Sequence, residues 1–173
     1  FEYRGVMVDV CRHFLTVDEM KKHIDIISMF KINKLHWHLT EDQGWRWEVK
    51  KYPRLTSVGA VASNTYVTSM QHGAYWTNRP YGPYFYTRAE LKDIVAYAAE
   101  RHIEVIPEID MPGHSQAFVR AMGHDMQTEQ GMQELQTILE EVAKVFVRAP
   151  YIHFGADEHT ITYPNFLNTI IDK

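Results

Sequence analysis

Residues 153–159 read His-Phe-Gly-Ala-Asp-Glu-His, and in them Asp157 and Glu158 stand side by side behind an apolar run, Tyr151–Phe154. Two carboxylates held close together resist double ionisation, so one of them is expected to stay protonated nearer neutrality. A carboxyl kept protonated is a general acid, worth about 10²–10⁴-fold in rate. Its ionised neighbour can accept a hydrogen bond from a substrate or face a developing positive charge. That division of labour suits glycoside cleavage, which passes through an oxocarbenium-like centre. Adjacent residues are badly placed to flank one scissile bond as acid and enzyme nucleophile, so a substrate that brings its own nucleophile fits the pair better. Taken alone, an Asp-Glu pair after a strand is also what a solvated turn or a helix N-terminus looks like.

Three other groups of polar residues follow apolar runs in the same way: Asp9 and Arg12, Glu41 and Asp42, and Asp110 and His114. The runs themselves read as strands at Arg4–Val10, Lys34–Leu39, Glu104–Ile109 and Tyr151–Phe154. Side chains alternate along a strand, so His36 and His38 share a face, as do Glu108 and Asp110. Between the runs lie helical signals. Thr16-Val-Asp-Glu19 and Thr87-Arg-Ala-Glu90 have capping-box form. Val17, Met20, Ile24 and Ile27 recur at helical spacing after the first box, and Leu91, Ile94, Val95 and Ala98 after the second. A third helix is expected from about Gly131 to Val147 and a weaker one over Asn165–Ile171. Met111-Pro-Gly-His114 reads as a turn in which Gly113 takes the positive φ. Residues 40–86 are too long for a passive connection and read as an elaborated functional loop.

Alternating strands and helices imply a parallel sheet with right-handed crossovers. An open doubly wound sheet and a (β/α)8 barrel both satisfy that order. No glycine-rich nucleotide fingerprint is present. All four polar groups fall at strand C-termini, which in a barrel form one face, the face where barrel enzymes place their chemistry. The expectation is therefore an α/β chain covering about the first four units of a (β/α)8 TIM barrel, residues 1–173 being one partial catalytic domain.

Composition narrows the partners. With a formal net charge of −4 and no basic run, neither nucleic acid nor an anionic membrane surface is expected. No apolar stretch approaches the roughly 18 residues of a membrane span. A single cysteine, Cys11, leaves no internal disulfide. The opening Phe1 and the absence of a signal-peptide pattern read as a piece of a longer product. Aromatic residues make up 13% of the chain, a surplus that fits either a large core or a sugar-stacking surface. Trp45 and Trp47 could stack on sugar or pack at the loop base, and Tyr75, Trp76, Tyr81, Tyr84, Phe85 and Tyr86 could line an outer subsite or cover the barrel top.

Four motifs, DVCRHF (9–14), HWHLTEDQGW (36–45), AYAAERHIEVIPEIDMPGH (96–114) and YIHFGADE (151–158), together resemble the catalytic barrel of family-20 glycoside hydrolases, the β-N-acetylhexosaminidases. The resemblance spans most of the chain. It implies removal of terminal β-linked N-acetylglucosamine or N-acetylgalactosamine from glycans or chitooligosaccharides, without a cofactor or metal. The implied mechanism is retaining and substrate-assisted, the 2-acetamido oxygen attacking the anomeric carbon to give an oxazolinium. Family-20 enzymes stand among the exceptions to the two-carboxylate scheme. By motif, Glu158 is the general acid/base, Asp157 binds the acetamido N–H, and Arg12 holds sugar hydroxyls. His114 with Glu41 supports the acid, and Asp110 and His153 shape the pocket. Relatives are often secreted, periplasmic or lysosomal.

The chain departs from the family pattern at Glu41, where the family has Asp, and at Ala156, where it has a second glycine. The loop after the MPGH turn is short, and the motifs of the barrel's second half are absent. Two other readings stay open. One is a metal-dependent barrel hydrolase that uses His36-x-His38, His114, His153 and Asp157 as ligands. The other is a non-catalytic sugar-binding half-barrel, whose open strand edges invite self-association into a homo-oligomer.

Overall fold

The computed structural model describes residues 1–63 and 79–171. Three strands, β1 (Gly5–Asp9), β2 (Lys34–His38) and β3 (Glu104–Glu108), form one parallel sheet in that order. Parallel neighbours need a crossover. Helix α1 (Val17–Met29) connects β1 to β2, and α3 (Arg88–Ala99) precedes β3. The short α2 (Arg54–Ser57) lies in the long loop; α4 (Gln116–Met122), α5 (Glu129–Val145) and α6 (Phe166–Ile171) follow β3.

Local chemistry explains where the main helices start. Thr16 accepts from the Glu19 amide at 3.3 Å while Glu19 accepts from the Thr16 amide at 2.7 Å. Thr87 and Glu90 repeat this at 3.2 and 2.7 Å. Both boxes satisfy amides that have no partner inside the helix. The helical stripes then go inward: Met20 and Ile24 on α1, and all four expected residues on α3, are buried. On β2, Leu35 and Trp37 enter the same core, with Trp37 edge-on to Tyr86 and to Phe146. His36 and His38 therefore face the other side of the sheet.

Register sets the next level. Asp9 pairs with His38, and His38 with Glu108, so these three form one row at the strand C-termini. Every strand hands its following loop to the same rim.

Four expectations need correction, and one alternative left open, that of Trp45 and Trp47, is decided. The fourth apolar run is not a regular strand. It meets β3 through a single parallel bridge, Glu108 to His153, with backbone bonds only from His153 and to His153 and Phe154. Pro150 lacks an amide to extend that ladder. Helix α5 starts two residues early, because Thr128 caps it by accepting from the Gly131 amide at 3.0 Å, and it ends at Val145. Helix α4 occupies a stretch expected to be loop. In the MPGH turn the positive φ, 49°, belongs to His114 and not to Gly113. What Gly113 supplies is room: a Cβ there would meet His159 Cβ at 2.8 Å. Trp45 and Trp47 are fully buried and stacked on each other at 6.0 Å, which removes them as sugar platforms. Tyr75 and Trp76 lie outside the described residues.

Candidate active site

The C-terminal rim of the sheet opens into a cleft of about 390 Å³ whose walls include Arg12, His38, Asp110, His114, Asp157 and Glu158. Every one of the four strand-end groups contributes to it or to its support. Its floor is a buried carboxylate that the sequence reading did not single out. Glu108 accepts from His36 Nε2 at 2.5 Å and from His38 Nδ1 at 2.9 Å, and His153 Nδ1 lies 3.4 Å from its other oxygen. Burial opposes ionisation of Glu108, but the hydrogen bonds from His36 and His38 outweigh it and hold the carboxyl well below the ordinary range. His38 responds in the opposite direction. Burial works against its charge, yet the bond and charge of Glu108, with Asp9 and Asp110, raise its pKa. The only hint in the sequence was the shared face of residues 36 and 38 and the presence of Glu108 on the adjacent strand.

Above this floor a chain of contacts crosses the cleft. Asp9 accepts from the Cys11 and Arg12 amides at 2.8 and 3.1 Å and from Arg12 Nη1 at 2.5 Å. The other arm of Arg12 donates to Glu41. The same Glu41 oxygen lies 2.8 Å from His114 Nδ1, and His114 Nε2 is hydrogen-bonded to Glu158 Oε2 at 3.3 Å. The extra methylene of Glu41 thus reaches both neighbours. Glu41 is only 1% exposed. Desolvation pushes its pKa up, against the pull of the Asp42 amide, Arg12 and His114. Burial lowers that of His114, but the charges of Glu41, Asp110 and Asp42 and the hydrogen bond to Glu158 outweigh it and raise the pKa.

The acidic pair sits where backbone geometry is unusual. Gly155, Ala156 and Glu158 have φ of 62°, 66° and 52°. At Gly155 a Cβ would come within 2.1 Å of Asp110 Oδ1, so no larger residue fits there. The Ala156 amide points to the same oxygen at 3.4 Å. Asp110 is buried, and desolvation followed by the charge of Glu108 raises its pKa. Asp157, Asp110 and His114 present their polar atoms within 4.8 Å of one another. Glu158, by contrast, stands on the rim with its side chain 75% exposed.

The five residues of the metal-ligand reading do not surround one point. His36 and His153 gather with Glu108, whereas His114 and Asp157 gather with Asp110. Each of the seven residues singled out from sequence, Glu158, Asp157, Arg12, His114, Glu41, Asp110 and His153, lies in this cleft or directly against a residue that does.

Comparison with known proteins gives a consistent result. The model of the glycosyl hydrolase family 20 catalytic domain matches residues 1–136, ending before the Asp157–Glu158 pair. A β-hexosaminidase of Porphyromonas gingivalis is 54% identical over 121 residues, which are 70% of this chain and 14% of that protein. One from Vibrio furnissii is 39% identical over 180 residues, covering 91% of this chain and 29% of the relative. Among solved structures, a Vibrio harveyi exo β-N-acetylglucosaminidase of the same family, in complex with N-acetylglucosamine, superimposes with a TM-score of 0.81 at 32% identity. It covers 99% of this chain and 30% of its own. The chain thus spans well under half the length of the proteins it matches.

Proposed function

This chain belongs to glycosyl hydrolase family 20, and from that premise we propose that it forms the first half of a (β/α)8 catalytic barrel that removes terminal β-linked N-acetylhexosamine from glycans such as chitooligosaccharides. The observation that carries the reading is the contact chain Arg12–Glu41–His114–Glu158 across one cleft, with Asp157 beside it.

The chemistry follows from those positions. Arg12, on the far wall, offers planar donors to a pair of sugar hydroxyls and fixes the terminal residue. Asp157 accepts from the acetamido N–H and turns the acetamido oxygen toward the anomeric carbon. That oxygen attacks as the glycosidic C–O bond breaks, and Glu158 gives its proton to the departing oxygen. The carboxylate of Asp157 then faces the positive charge of the oxazolinium. In the second half Glu158 takes a proton from water, whose oxygen attacks the anomeric carbon and reopens the ring. Two inversions leave the β configuration. His114, bonded to Glu158 and backed by Glu41, keeps the carboxyl aimed and balances its charge as it alternates between forms. We propose further that residues beyond this chain complete the cleft, and that the chain by itself turns over poorly.

The test uses the protein at its full natural length. It should release p-nitrophenol from the N-acetyl-β-glucosaminide but not from the β-glucoside, which lacks the acetamido nucleophile. Proton NMR should show the β-anomer of the product first. Equal turnover of both substrates, or a first-formed α-anomer, would overturn the mechanism.

A further inference from the structure

Arg46 is a buried cation whose partners are all backbone carbonyls. It is 0% exposed. Its Nε donates to Val10 O at 3.1 Å, and Nη2 to Cys11 O at 2.6 Å. Nη1 donates to Ala60 O at 2.9 Å and to Tyr84 O at 3.0 Å. Among the described residues no carboxylate lies within ion-pair distance of it. Phe14 and Tyr81 offer ring faces 5.9 and 5.8 Å from its Cζ. A guanidinium withdrawn from water without a carboxylate is costly, and the four charge-assisted hydrogen bonds to backbone carbonyls offset that. An apolar side chain would fill the same volume more cheaply, so what the guanidinium uniquely supplies is a fixed fork of donors.

The fork falls at a telling place. The two peptide units before Arg12 are those of Val10–Cys11 and Cys11–Arg12. Asp9 takes both of their N–H groups, at 2.8 and 3.1 Å. Arg46 takes both of their C=O groups. Each peptide plane is therefore held at both ends, from opposite sides, and the direction in which Arg12 leaves the backbone is set by the pair. The long loop adds two more contacts downstream: the Phe14 amide donates to the Tyr81 hydroxyl at 3.0 Å, and the Tyr86 hydroxyl donates to Leu15 O. Gly44 completes the seat. A Cβ at that position would lie 2.2 Å from Arg46 Cζ, so the guanidinium can occupy its place only over a glycine.

We infer that Arg46 is a positioning residue for substrate binding, acting through the two peptide planes that aim Arg12 into the cleft. The inference rests on Arg12 being the sugar-binding arginine of the proposed function. Arg46 itself is sealed from the cleft and touches no substrate.

The test is a double-mutant cycle in the full-length protein. Arg46→Lys keeps the charge but replaces the planar fork with a compact ammonium whose three donors all leave from one nitrogen. It should lower kcat/KM on the N-acetyl-β-glucosaminide about tenfold when Arg12 is present and less than about twofold in an Arg12→Ala background. Gly44→Ala, which displaces the guanidinium without altering it, should copy this pattern and serves if Arg46→Lys does not fold. Equal losses in both backgrounds, in folded protein, would overturn the inference. Hydrogen exchange gives a readout independent of turnover. In either variant the amides of Cys11 and Arg12 should exchange about tenfold faster while those of α3 stay unchanged. Unaltered exchange at 11 and 12 would also overturn it. A wild-type protein that hydrolyses no N-acetylhexosaminide would defeat the proposed function instead, and the exchange result would still decide whether Arg46 holds the two peptide planes before Arg12.

Discussion

Glu108 shows how one buried carboxylate can tie together the side chains around it. Its carboxylate takes imidazole hydrogen bonds from His36 and His38, which share one face of β2. A folded-state pKa below the unfolded one contributes stability above the ordinary carboxyl value of 4.5, and that contribution is lost as pH falls through the folded value. For His38 the sign reverses. Its contribution is full below 6.5 and is lost as pH rises through its raised folded value. The pair should therefore stabilise most between those two values. Glu108→Gln should cost about 2 kcal/mol or more in urea unfolding near pH 5.5, and less once pH has risen through the raised folded value of His38. A deficit that is constant with pH would show that the charges do not matter. The residues of the cleft wall were legible because each follows a strand, and strand ends share a rim. Glu108 and Arg46 were not. Glu108 sits within a strand, where alternation gives a side but no partner, and the partners of Arg46 include Val10, 36 positions away, and are backbone atoms of any residue type.

At the scale of elements, what was readable was local. A capping box is complete within four residues, so α1 and α3 begin where their Thr and Glu place them. Helix α4 has no side-chain cap at Ser115 and only seven residues. Its one sequence signal was its end, Gly123, with φ 86° and its amide bonded to Val119 O. The apolar run at 151–154 looked like its three predecessors, yet pairing depends on a neighbour's free edge and on amides, and Pro150 withholds one. The segment that follows carries backbone strain where the family pattern has glycine. Ala156 is held at φ 66°, a region costing about 1–2 kcal/mol for a residue with a Cβ. Ala156→Gly should raise stability by about 0.5–1 kcal/mol after the glycine's extra unfolded-state freedom is deducted. A loss of stability in denaturant titration would mean that the methyl group packs usefully and that the strain is absent.

At the scale of the whole molecule, the parallel order β1-β2-β3 is what brings separate segments to one cleft. Arg12 from the first loop and Glu158 from the last lie 146 positions apart in sequence, and two side chains, Glu41 and His114, bridge them. The alternating pattern of strands and helices was enough to anticipate a shared rim. The bridge itself depended on the lengths of individual side chains. The central claim is that Glu158 delivers the proton to the departing oxygen at this rim. It is tested most directly by comparing leaving groups in Glu158→Gln at full natural length. For poor leaving groups such as an N-acetylglucosamine hydroxyl, kcat/KM should fall about 10²–10⁴-fold, whereas for 2,4-dinitrophenolate, which departs without protonation, it should fall little. A loss of the same size for both leaving groups, or none for either, would contradict the assignment.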